Sequence, residues 1–225
     1  MPLSLGLGSL WNLFLAAIPV ALAFRIARGI RRDIDTTRPL RWHLWLPLLT
    51  LWLAFLPNTC YLLTEWRHYL GFVYTSSFYP RVFQHGYYNA GPTIKLAAIT
   101  CVYIIYSSVG LLALFLSVWP LKRLAQTHWK HLAQLGQPIV FVLCALGVYL
   151  GLVNRFNSWD LIHPSRVFAI LQTLSDIFAH PIVVAMILIF GAVLWLLYTL
   201  FDIFMDGAAL RFHQKPLEKV NNASQ

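Results

Sequence analysis

The stretch "LWLPLLTLWLAFLPNTCYLLTEWRH", Leu44 to His68, decides the fold. From Leu44 to Thr64 it holds no Asp, Glu, Lys, Arg or His. About 20 mostly apolar residues in a helix cross the hydrocarbon of a bilayer, so a run of this length predicts a membrane span. Its far end does not suit lipid. Pro57 and Asn58 stand side by side, and Glu65 and Arg67 follow within three turns. A lipid-facing helix has no use for that amide or that acid. The segment therefore predicts a span whose last turns face protein or a polar space.

Four further runs of the same kind flank it, at about 3–24, 96–118, 137–154 and 181–203. Pro181 is suited to the first turn of the last one. Composition agrees with the reading. Of 225 residues, 59% are hydrophobic and only 11% are charged, too few to cover a water-facing surface. The expected fold is all-α: a polytopic transmembrane bundle of about five spans, forming a single membrane domain over residues 1–213, with a polar, unstructured, cytoplasmic tail over 214–225. The first run ends at "ALAF", Ala21 to Phe24, which resembles a signal-peptide cleavage site. No positive charge precedes the run and an Arg cluster follows it at once, so it is expected to stay as a span.

The net charge of +9 is a topology signal here, not a sign of nucleic acid as a partner, because the basic residues sit between the apolar runs. With the N-terminus outside, segments 25–43, 119–136 and 204–225 lie inside with twelve Lys and Arg residues, against five outside. The positive-inside rule thus predicts a plasma-membrane protein with its N-terminus outside and its C-terminus in the cytoplasm. The Arg25 to Arg41 cluster also suits anionic membrane lipid. Asp202 and Asp206, four apart near the inner end of the last span, are expected to pair with Arg211 or with the arginines of the first loop.

Two other segments stand out. Residues 66–90 are crowded with Trp, Tyr and Phe, a composition suited to the headgroup zone or to partial re-entry. Residues 165–180 carry Val167, Ile170, Leu171, Leu174, Ile177 and Phe178 at helical spacing, with Arg166, Gln172 and Asp176 on other faces. That pattern predicts an amphipathic helix lying in the interface.

The predicted topology gathers polar residues at one place. Asn58, Tyr61 and Glu65 share a helical stripe. Asn58 is expected to bond a backbone group freed by Pro57, or to reach a neighbouring helix. At the end of the fourth run, "VNRFNSWD" brings Asn154, Arg155, Asn157, Ser158, Trp159 and Asp160 to the same outer layer. Arg155 is expected to pair with Glu65 or Asp160, and Trp159 to anchor the turn.

"FLPNTCYLLTEW" together with "YLGLVNRFNSWDLIHP" resembles an uncharacterised bacterial multi-pass membrane family catalogued as domain of unknown function 1361. The resemblance runs from about Trp42 to about Phe204. Asn157-Ser158-Trp159-Asp160 is its more specific motif, and Glu65 stands where the family pattern leads one to expect Asp. The resemblance implies a membrane fold and these site residues, and no chemistry.

Three functions fit the outer cluster. It is polar glue between spans, or a site for a lipid headgroup or small polar solute, or an enzyme site with Glu65 or Asp160 as base. No cofactor motif is visible. Cys60, Cys101 and Cys144 form no disulfide framework, and His68, His85, His163 and His180 have no metal-ligand spacing, so no metal is expected.

Overall fold

The computed structural model describes residues 4–37, 39–75 and 90–222. All regular structure among them is helical. The elements are α1 (Ser4–Asp35), α2 (Trp42–Phe55), α3 (Pro57–Thr64), α4 (Trp66–Thr75), α5 (Ala90–His128), α6 (Lys130–Leu152), a 3-10 turn (Ser158–Ile162), α7 (Pro164–Ala179) and α8 (Pro181–Asn222). Proline opens α3, α7 and α8, at the helix position where a missing N–H costs nothing.

Among the described residues five helical segments are long and apolar enough to cross a membrane: Gly8–Asp35, Trp42–Gly71, Ala90–His128, Ala133–Leu152 and Pro181–Arg211. The fold is thus a five-span helical bundle with the amphipathic α7 beside it. In α7, Ile170 and Ile177 are buried, while Arg166 and Asp176 are exposed. The helices outrun the expected spans, because apolar length marks lipid and not the end of a helix. The third continues through Pro120 to His128. The last continues to Asn222, so the tail expected to lack structure is helical that far. Extending a formed helix by a residue costs far less than starting one. Of the aromatic segment 66–90, residues 66–75 belong to helix α4, and residues 76–89 lie outside the described residues.

α3 is the centre of the bundle. It packs on α1, α5 and α6, and Pro57, Asn58, Thr59, Cys60 and Leu62 are all buried. α8 packs mainly on α6. Two glycines of α6 let α3 approach. A Cβ at Gly147 would lie 2.4 Å from Pro57 Cγ, and one at Gly151 would lie 1.7 Å from the Tyr61 hydroxyl. Small residues at helix crossings are how apolar helices associate where no water drives them together.

Polar ties fix the end opposite Glu65. Asp33, buried at 2% exposure, accepts from Arg41 through Nη2 at 2.9 Å and Nε at 3.2 Å, and from Trp45 Nε1 at 2.8 Å. This bidentate arrangement locks the α1–α2 connection. Asp202 pairs with Lys122 at 2.6 Å, and Asp206 with Arg123. The expected partners, Arg211 or the first loop, are therefore replaced by two basic residues of α5, which runs parallel beside α8.

Candidate functional site

Pro57 interrupts the second span and so creates the site's framework. The Thr59 N–H bonds Leu56 O at 3.1 Å, one residue short of the usual helical partner. The Phe55 carbonyl accepts instead from Asn58 Nδ2 at 2.9 Å. The same amide donates to Ser158 Oγ at 3.0 Å, and Ser158 Oγ donates to the Ala54 carbonyl at 2.8 Å. Asn58 thus bonds a backbone carbonyl at the break and, at the same time, the turn that follows α6. The span's break is thus tied to the turn that carries Asn157-Ser158-Trp159-Asp160.

That turn is braced internally. Asp160, 8% exposed, accepts from the Asn157 N–H at 2.8 Å, and its own N–H returns to the Asn157 carbonyl at 3.0 Å. A carboxylate placed on a free N–H at a helix start satisfies a donor that would otherwise have no partner. Trp159 sits edge-on to Trp11 of α1, with ring centroids 6.4 Å apart.

Glu65 lies just past α3, half-buried, and accepts from Asn12 Nδ2 at 3.2 Å. The Arg155 pair expected for Glu65 or Asp160 does not form. Arg155 is exposed and adopts φ 58°, in the chain reversal after α6, where Phe156 N–H bonds Leu150 O at 3.2 Å. Asn154 is exposed beside it. Asn58 and Glu65 end about two turns apart with separate partners, because the α3 helix stops at Thr64 and Glu65 begins the bend into α4.

Two neighbouring cavities open at this end. One, of about 170 Å³, is polar, and its walls include Asn12, Tyr61, Glu65, Arg67, His68 and Asn157. The other, of about 240 Å³, is largely apolar, with Leu53, Pro57, Leu143, Leu146, Leu150 and Ile170 in its walls. Tyr61, Phe156 and Asn157 line both and form the partition between them. The structure therefore sorts the expected cluster. Tyr61, Glu65 and Asn157 reach the polar cavity, Ser158 reaches the apolar one, Asn58 and Asp160 hold the framework, and Asn154, Arg155 and Trp159 stay outside both cavities.

Asn12, Gly151 and Phe156 complete the walls without having been singled out from the sequence. Asn12 had a signal: it is a lone amide in the apolar run "LWNLFLAA". Among the described residues no group of three or more His, Cys, Asp or Glu is placed to hold a metal ion. A pair of thiols escaped the sequence reading altogether. Cys60 Sγ and Cys144 Sγ lie 3.6 Å apart, both fully buried between α3 and α6.

No curated protein and no solved structure matches the chain. The segments that build the two cavities, from Asn12 on α1 to Ile170 on α7, all fall within residues 11–197, the stretch matched by the family model described as Protein of unknown function (DUF1361), and the chain belongs to that family.

Proposed function

We propose that this multi-pass membrane protein binds an amphiphile at its Glu65 end, in the outer leaflet of the plasma membrane, with a polar head beside Glu65 and an apolar chain in the adjoining groove. One observation carries the reading: the polar and apolar cavities share Tyr61, Phe156 and Asn157 as a common wall. A ligand with one polar and one apolar part matches that pairing, and a small polar solute would use only half of it. Binding sites between helices of a bundle are typically concave and apolar with few polar groups to fix orientation. The outer position rests on the basic residues, which concentrate in Arg25 to Arg41 at the other end of the bundle.

The polar-glue reading applies to part of the cluster. Asn58 and Ser158 bond each other and the Phe55 and Ala54 carbonyls, and Asp160 takes the Asn157 N–H, as framework residues do. Among the described residues Glu65 takes a hydrogen bond from the Asn12 amide, and it lines the polar cavity.

The test uses a phospholipid with a photoactivatable group on its acyl chain, incorporated into membranes holding the full chain. Adducts should concentrate on peptides containing residues 143–158 and 50–61. Adducts spread evenly over the lipid-facing surface of α8, where Ile182, Ile189 and Ile203 are exposed, would remove the groove from consideration.

A further inference from the structure

The polar cavity has two charged walls that do not neutralise each other. Glu65 contributes a carboxylate, half-buried. Arg67, two residues on in the first turn of α4, contributes an exposed guanidinium to the same cavity, with His68 next to it. Among the described residues the ion pairs are Arg41–Asp33, Lys122–Asp202 and Arg123–Asp206, all at the other end of the bundle. Among the described residues, the hydrogen-bond donor to Glu65 is the neutral amide of Asn12, at 3.2 Å. The remaining polar walls, Tyr61, Thr64 and Asn157, are neutral as well. A carboxylate near a membrane is stabilised by a cation beside it, so Glu65 offers a positive group a partner in this cavity. An arginine at the mouth calls in the same way for an anion, and guanidinium suits phosphate geometrically.

We propose that the ligand's head is a zwitterion, a primary ammonium held by Glu65 and Asn12 beside a phosphate held by Arg67. This rests on the amphiphile reading above and names its headgroup. The size of the cavity, about 170 Å³, favours a compact ammonium over a trimethylated one. A primary ammonium also brings three N–H donors to the carboxylate, which a quaternary one lacks.

The full chain is reconstituted in nanodiscs containing equal amounts of phosphatidylethanolamine, phosphatidylcholine and phosphatidylglycerol with identical acyl chains. Retained lipid is then counted by native mass spectrometry after mild detergent extraction. The protein should retain phosphatidylethanolamine over each of the others by about tenfold, the ratio given by one charge-assisted hydrogen bond of about 1.4 kcal/mol. Glu65→Gln, which keeps the shape of the side chain, should retain all three lipids without preference at an unchanged melting temperature. Arg67→Gln, on an exposed residue, should lower retention of all three, since all carry phosphate.

Equal retention of the three lipids by the unaltered protein overturns the headgroup assignment and leaves the amphiphile reading standing. A preference that survives in Glu65→Gln does the same. Retention of no lipid at all ends both. Soluble phosphoethanolamine serves as a separate arm. If it displaces bound phosphatidylethanolamine, the zwitterion chemistry holds but the ligand's source is a free solute; if it does not, the lipid form is the one recognised.

Discussion

At the scale of single residues, the bonds of Asn58 and Ser158 make a sharp expectation. Each substitution leaves buried carbonyls or an amide without a partner, which costs about 1–3 kcal/mol per group. Asn58→Ala and Ser158→Ala should therefore lower thermal stability in detergent, and the double variant should cost less than the sum, because the two side chains share one bond. Arg155 behaves differently. Its φ of 58° is the left-handed conformation that glycine adopts without penalty and that costs other residues about 1 kcal/mol or more. Arg155→Gly should hold or raise the melting temperature, while loss of an ion-paired arginine would lower it. The sequence made Asn58 visible because it stands almost alone in an apolar run, and Asp160 visible because it closes a polar crowd at the end of one. It misplaced Arg155 because a pairing argument sees charge and proximity in the chain, but not the backbone turn that leaves a side chain exposed. Asn12 was overlooked because nothing within its own segment supplies its partner, which comes 53 residues later.

At the scale of elements, the contact between α3 and α6 governs the shape of both cavities. Pro57 against Gly147 is a rigid ring against a bare backbone, so Gly147→Ala should cost about 1–3 kcal/mol as overpacking, read as a fall in melting temperature. Gly151→Ala meets only the tip of Tyr61, which can swing away. Its expected effect is on lipid retention rather than on stability, since Tyr61 lines both cavities. The same contact brings Cys60 and Cys144 to 3.6 Å, against about 2.0 Å for a bonded pair. Copper phenanthroline should join them within one chain with loss of two hydrogens, and Cys60→Ser should abolish the product. Failure to cross-link would place α3 and α6 further apart. Five spans and the amphipathic α7 were legible from hydropathy and period alone. The division of the second span into α2, α3 and α4 was only half legible. Pro57 announces the first break, but the bend at Glu65 depends on packing against α5, where Trp66 Nε1 donates to Ser107 Oγ at 2.8 Å and the Tyr69 hydroxyl bonds Thr100 Oγ1 at 2.7 Å.

At the scale of the whole molecule, the first question is which end faces out. In a version with all three native cysteines replaced by serine, Asn154→Cys should react with an impermeant maleimide on intact cells, and Thr36→Cys only after permeabilisation. The reverse pattern would move the cleft to the inner leaflet. Composition and charge placement were enough to derive a bundle and propose its direction. They were not enough to find a pair of cavities, because a cavity is a property of several segments at once. That fact bears on how the protein is made. Asn12 belongs to the first span, Glu65 lies toward the end of the second, and Asn157 follows the fourth. A ribosome delivers these in order, so the cleft cannot close until the chain has emerged past residue 157. Until then Glu65 waits at the membrane surface with Asn12 but without its opposite wall. A ligand that recognises the finished cleft can therefore bind only chains whose first four spans have already come together, and its binding would mark insertion through the fourth span.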